Sequence, residues 1–134
     1  PLEVFRISAS RDSVSREWVT GYPITFTTGY PTFLEEFEHT GDVNVAVVDT
    51  YLRILAEHPD SLIARKAGLK VALKISRMAG RILREGGLKT PKGCRLTRRF
   101  DYMLRREGNL LNPGTTADLT CSSIGVAVLT GFKP

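Results

Sequence analysis

Asn112-Pro113-Gly114-Thr115-Thr116-Ala117-Asp118-Leu119-Thr120-Cys121-Ser122-Ser123-Ile124-Gly125-Val126-Ala127-Val128-Leu129-Thr130 opens on a turn and continues as an apolar helix. Asn, Pro and Gly in succession terminate whatever precedes them and set up a helix start. After Asp118 no charged residue occurs before Lys133. A helix from Thr116 to Thr130 is therefore apolar on nearly every side, which predicts that it forms the buried centre of the domain. Its longest apolar run, Ile124 to Leu129 interrupted by Gly125, is far too short to cross a bilayer.

Upstream of that stretch almost no alternation of period two occurs, and Gly and Pro punctuate helical patterns. Asp12 or Ser13 caps a short helix through Trp18 that Gly21 ends. Pro23 and Pro31 divide the next segment into short pieces, the second running from Thr32 to His39. Ile24 to Thr28 has strand propensity, and its flanking prolines leave it open between a strand and a helical turn. Asp42 is a good N-cap for a helix through Glu57, with Val43, Val47, Tyr51, Leu52, Ile54 and Leu55 facing the core. Pro59 stops it. Asp60 or Ser61 starts a longer helix closed by Gly86-Gly87, with an inner stripe of Ile63, Ala67, Val71, Ile75, Met78 and Ile82. Leu88 to Arg99 reads as a basic loop before a helix around Phe100, Met103 and Leu104 that Gly108 ends. The expectation is one all-α domain over residues 1–134, a multi-helix bundle around a buried apolar C-terminal helix.

The chain is long enough for one core, with 42% hydrophobic and 25% charged residues. Residues 1–60 carry four basic against ten acidic side chains, and residues 61–134 fifteen against four. Two such halves attract each other, and the net charge of +5 favours an anionic ligand. No secretory signal pattern is visible, and Cys94 and Cys121 form no CxxC pair, so free thiols in the cytoplasm are expected. Pro1 at the start points either to a removed initiator Met or to a piece of a longer chain.

Four constellations carry possible chemistry. The turn before the last helix gathers backbone N–H groups, two hydroxyls and the carboxylate of Asp118, a plausible seat for a phosphate or ribose. Thr115-x-x-Asp118 also fits a capping box, in which the same groups serve only the helix start. Lys66, Lys70, Lys74, Arg77, Arg81 and Arg84 recur at three and four along one helix face. That face is either a polyanion track, for nucleic acid or a triphosphate, or a solvated surface, and no aromatic residues interleave for base stacking. Arg65-Lys66, in the first turns after Asp60, oppose the helix dipole unless an anion is near. Glu36-x-x-His39 matches the step used in di-metal helix bundles, but it occurs once where such bundles need it twice.

Three of these segments together resemble the triphosphoribosyl-dephospho-CoA synthase family. Asn112 to Asp118 resembles its Asn-Pro-Gly-x-x-Ala-Asp segment and is the most specific match. Asp12-Ser13-Val14-Ser15-Arg16-Glu17-Trp18 resembles the family's central helix, and Asp60 to Gly68 its segment of Asp, a basic dipeptide and Gly. The resemblance covers only the C-terminal part of the family chain, which is about twice as long.

That resemblance implies an all-helical cytoplasmic transferase. It implies ATP-dependent triphosphoribosyl transfer to 3′-dephospho-CoA with release of adenine, as in prosthetic-group precursor synthesis, or a related nucleotide-ribosyl transfer. By resemblance, Asp118 is the catalytic candidate, on a ribose hydroxyl or on Mg²⁺. Arg65, Lys66, Asn112, Gly114, Thr115 and Thr116 are the nucleotide-binding candidates. Asp12, Arg16, Glu17 and Asp60 are weaker ones. ATP is expected as substrate with Mg²⁺. The expected partners are a dephospho-CoA-like acceptor, the missing N-terminal half of the same protein and a second copy in a homo-oligomer, with no membrane. The chain alone is expected to be inactive. The alternative from a different class is a nucleic-acid-binding helical module using the face from Lys66 to Arg84.

Overall fold

Aspartate caps organise the chain. The computed structural model describes residues 2–106 and 108–134, and among them the chain is helical with no strand. α1 spans Leu2–Ser8 and α2 spans Ser13–Thr20, with Asp12 at its N-cap and Gly21 at its C-cap. The short α1 has no buried residue, and no capping signal announced it. α3, Tyr30–Thr40, is entered through a π-helical turn at Thr25–Gly29, which resolves the strand-or-helix ambiguity in favour of helix. Pro31 lacks an N–H and crowds the carbonyl four residues before it. The wider turn absorbs that, with the Tyr30 N–H reaching the Thr25 carbonyl.

α4, Val43–Glu57, begins at Asp42, whose carboxylate accepts from the N–H groups of Asn44 and Val45. α5 spans Ser61–Ala67 and α6 spans Leu69–Arg84. The single long helix expected here is thus broken, because Gly68 adopts φ 96° and ψ 154°, outside any helix. The apolar and basic stripes run on through the break, so their periodicity concealed it. The track of six cations is interrupted with it: Lys66 ends up on a different helix from Lys70, Lys74, Arg77, Arg81 and Arg84. A 3₁₀ turn, Gly87–Lys89, leads into α7, Pro91–Arg106. The expected basic loop over 88–99 is therefore mostly helix. Thr90 accepts from the Gly93 N–H, and Pro91 suits a first helical position.

α8 spans Gly114–Leu129. It lies on the flank, and the central helix is α4, which buries Ala46, Asp49, Thr50, Leu52, Ile54 and Leu55 and packs against α3, α6 and α8. The main core joins Leu52 and Leu55 to Ile63, Ala72, Ile75, Ala79, Ile82, Phe100 and Leu104. A smaller core holds Phe33, Ala46 and Ala127, with the rings of Phe33 and Phe37 edge-on to Phe132 at 5.0 and 4.8 Å. Size and shape, rather than hydropathy, decide which face of α8 turns inward. Thr120 and Ser123 return their hydroxyls to carbonyls one turn back, both at 2.8 Å, which hides their polarity. Ser123 then packs on the π-helical turn, where a Cβ at Gly29 would stand 1.8 Å from its Oγ. The bulkier Val128 and Leu129 stay 57% and 88% exposed.

Candidate active site

Three helices start at one place. Asp60 caps α5 through Oδ1, which accepts from the N–H groups of Leu62 and Ile63 at 2.9 and 3.0 Å. Its Oδ2 accepts from the Thr116 N–H at 2.8 Å and the Thr116 hydroxyl at 2.7 Å, so one carboxylate, 1% exposed, serves the starts of both α5 and α8. Asp12 caps α2 and also accepts from the Ser15 hydroxyl at 2.8 Å. Ser61 ties the three together. Its Oγ accepts from the Ser13 N–H at 3.1 Å, lies 3.4 Å from Asp12 Oδ1 and stands 3.0 Å from Thr115 Oγ1. Two negative charges thereby face three positive helix ends.

The capping box expected at Thr115 and Asp118 does not form. Pro113 occupies the N-cap with no side-chain bond, and Asp60 supplies the acid from another helix. Gly114 has a packing role here, since a Cβ would stand 2.8 Å from Leu62 Cδ2 where α5 and α8 meet.

One turn further along α2, Glu17 is 2% exposed. It accepts from the Ile24 N–H at 2.8 Å and from the Thr25 N–H and hydroxyl at 2.9 and 2.8 Å. It therefore holds the start of the helix that follows Pro23. Beside it, between α2 and α8, a cleft of about 260 Å³ is lined by Val14, Glu17, Trp18, Tyr22, Asp118 and Ser122. Asp118 is exposed there. Trp18 and Tyr22 form an aromatic wall with ring centroids 5.6 Å apart, and Phe5 stacks on Trp18 at 5.7 Å. Tyr22 has φ 58°, a costly conformation for a bulky side chain, imposed between Gly21 and Pro23. Such a cleft offers a flat surface for a planar ring beside a carboxylate able to accept a proton from, or orient, a hydroxyl.

The structure brings Asp12, Glu17, Asp60, Thr115, Thr116 and Asp118 together around the α2, α5 and α8 junction. Arg16, Arg65, Lys66 and Asn112 do not line the cleft. Arg16 donates to the Ala9 carbonyl at 3.2 Å, and Lys66 donates to the Asn109 carbonyl at 3.3 Å. Because Gly68 ends α5 early, Arg65 and Lys66 occupy its last turn, where the helix dipole favours cations. The opposition to the dipole expected for them is thus reversed. Among the described residues, no group of three His, Cys, Asp or Glu side chains is arranged to hold a metal ion. No helix among them is long and apolar enough to cross a membrane.

A family model, CitG: ATP:dephospho-CoA triphosphoribosyl transferase, matches residues 1–133. The chain belongs to this transferase family. It is also 32% identical over 100 residues to the 2-(5''-triphosphoribosyl)-3'-dephosphocoenzyme-A synthase of Klebsiella pneumoniae, a match covering 75% of this chain and 32% of that relative. The matched region thus spans about a third of the relative's length. No solved structure matches the chain.

In this triphosphoribosyl transferase family member, sequence reasoning missed two features. Nothing in the sequence joins Trp18 and Tyr22 into one aromatic wall, although Gly21-Tyr22-Pro23 marks a constrained backbone. Asp49 was also missed because it sits in an apolar helical pattern. It is fully buried, accepts from the Leu88 N–H at 3.0 Å and has Lys89 Nζ 3.2 Å from its Oδ2. Lys89 also pairs with Glu36, so this cluster joins the acidic first half to the basic second half. Burial alone would lower the Lys89 pKa, but the bonds from its ammonium to Glu36 and Asp49 outweigh that and raise it.

Proposed function

We propose that this chain is the C-terminal part of an enzyme that transfers the triphosphoribosyl group of ATP to 3′-dephospho-CoA. The reading is supported by membership of the transferase family together with an exposed carboxylate, Asp118, on a cleft walled by Trp18 and Tyr22. The ribose 2′-hydroxyl of dephospho-CoA attacks C1 of the ATP ribose. A C–O bond forms there as the C–N bond to adenine breaks. Adenine leaves with the bonding electrons and takes up a proton, while the attacking hydroxyl loses one. The triphosphate stays on the transferred sugar.

Within this proposal Trp18 and Tyr22 stack on the departing adenine. Asp118 accepts the hydroxyl proton or stabilises positive charge growing at the sugar carbon. Arg65 and Lys66, outside the cleft, hold phosphate that projects beyond it, and the more open end of the turn at Asn112 and Gly114 faces phosphate or ribose. Thr116 is buried with its N–H and hydroxyl both committed to Asp60, so it holds the turn in place and does not touch substrate. Asp12, Arg16, Glu17 and Asp60 position the rest. Mg²⁺ suits a single exposed carboxylate when substrate phosphates complete its shell, and it would supply charge neutralisation. The exposed apolar side chains of α1 and of the α8 end, including Ile7 and Leu129, would pack on the remainder of a longer chain or on a second copy.

The test is adenine release from ATP by the protein expressed from its full reading frame, with dephospho-CoA present and omitted. Release that requires dephospho-CoA, with a product heavier by a triphosphoribosyl group, is expected. An active preparation that releases no adenine, or releases it without that product, overturns the reading.

A further inference from the structure

A second cleft lies between α4 and α6. Its volume is about 650 Å³, and it is lined by Arg53, Glu57, Ser76, Arg77, Gly80 and Arg84 among others. Three guanidinium groups thus face one carboxylate. Glu57 is already engaged, with Arg53 at 3.6 Å and the Thr28 hydroxyl at 3.3 Å. Among the described residues, Arg77 and Arg84 form no ion pair. The floor is made of small residues. A Cβ at Gly80 would stand 3.4 Å from Arg84 Nη1 and 3.7 Å from the Ala56 Cβ, so the Arg84 side chain lies back over that glycine.

The deciding observation is Ser76. It is 5% exposed, lines this cleft and finds no hydrogen-bond partner for its hydroxyl among the described residues. A serine inside a helix normally returns its hydroxyl to a carbonyl one turn back, as Thr120 and Ser123 do here. Leaving a buried hydroxyl unsatisfied is costly. The oxygen is closed off from solvent as it stands, and a turn of the Ser76 side chain toward the cleft would let an acceptor oxygen there satisfy it. Guanidinium groups supply paired N–H donors matched to phosphate oxygens.

We propose that the α4/α6 cleft is a polyphosphate site, in which Arg77 and Arg84 grip the anion with Arg53 at the rim and Ser76 donates from the floor. It is separate from the Asp118 cleft, whose lining holds no cation. Only the identity of the natural ligand rests on the function proposed above. The shared chemistry is a phosphate chain, carried either by a nucleoside triphosphate or by the diphosphate of dephospho-CoA.

The experiment is calorimetric titration of the chain with inorganic tripolyphosphate, without divalent cations, at roughly physiological salt. Saturable binding is expected, with a tightest site that depends on Arg77 and Arg84. Arg77→Gln with Arg84→Gln should weaken it at least tenfold, and Ser76→Ala severalfold. These positions are on the helix surface or small, and circular dichroism melts confirm the fold of each variant. Lys70→Gln with Lys74→Gln, on the same helix but outside the cleft, and Asp118→Asn should each change affinity less than twofold.

No binding, equal binding by the double arginine variant, or an equal loss from the double lysine variant overturns the proposal; the last would mean diffuse attraction to a basic face. Competition then assigns the source. Displacement of tripolyphosphate by ATP alone supports a triphosphate ligand, and displacement by dephospho-CoA alone supports a diphosphate one. Displacement by neither overturns the assignment to a nucleotide. The readout is an inorganic anion, so failure of adenine release and failure of this site are separate results.

Discussion

Asp60 Oδ2 accepts both the backbone N–H and the hydroxyl of Thr116, at 2.8 and 2.7 Å, across 56 positions of sequence. The same carboxylate caps its own helix through Oδ1. The starts of α5 and α8, beneath the Asp118 cleft, are therefore joined through one carboxylate. Asp60→Ala removes an N-cap worth about 0.5–2 kcal/mol and leaves buried donors on Thr116 unsatisfied at about 1–3 kcal/mol each. A loss of about 3 kcal/mol or more is expected in urea unfolding, with Thr116→Val losing less. A loss below about 1 kcal/mol in Asp60→Ala would mean that water replaces the clamp.

How far this was readable follows from which interactions are local. Asp42 was legible as a cap, and Asp12 and Asp60 to within one residue, because a cap bonds N–H groups two or three residues on. The second duty of Asp60 was not, since nothing near Thr116 names its distant partner. The helix break at Gly68 was hidden because apolar and basic stripes continue on both sides. α8 is not the buried centre because apolar content does not by itself fix burial; its inward face carries small hydroxyl side chains, of which Ser123 fits against Gly29. Asp118 was legible as an acid at a helix start, but its aromatic wall comes from α2 and the residues just after it.

Asp49 is buried with Lys89 as its counter-ion, so Lys89→Met leaves an uncompensated charge. Lys89 stays 37% exposed and Asp49 keeps the Leu88 N–H, so a loss of about 1–3 kcal/mol is expected. The pH profile carries a sign. The Lys89 pKa is raised in the fold, so its contribution is complete below the unfolded value of about 10.4 and fades as pH rises through the folded value. Burial, then the charges of Asp60 and Asp101, also raise the Tyr51 phenol, which favours its neutral form in the fold. Wild-type melting temperature should therefore fall above about pH 10. Tyr51→Phe and Lys89→Met should each flatten part of that fall. A melting temperature unchanged up to pH 11 would contradict both assignments.

Two glycines inside helices should respond oppositely to alanine. Gly80 in α6 leaves ordinary contact distances of 3.4 and 3.7 Å for a Cβ, so Gly80→Ala should stabilise the chain by about 0.5–1 kcal/mol. Gly93 in α7 abuts the Gly87 carbonyl, where a Cβ would stand 1.8 Å from the oxygen. Gly93→Ala must push two backbone segments apart, and a loss of at least about 2 kcal/mol in thermal melts is expected. Equal effects at the two positions would rule out the close approach of α7 to the 3₁₀ turn.

The most direct test of the central claim, that the Asp118 carboxylate on the α2/α8 cleft carries the transfer, is adenine release by Asp118→Asn in the protein from the full reading frame. The account predicts a fall in kcat of about 10²-fold or more, with ATP affinity changed only severalfold and the melting temperature kept. Wild-type kcat in that variant would contradict it.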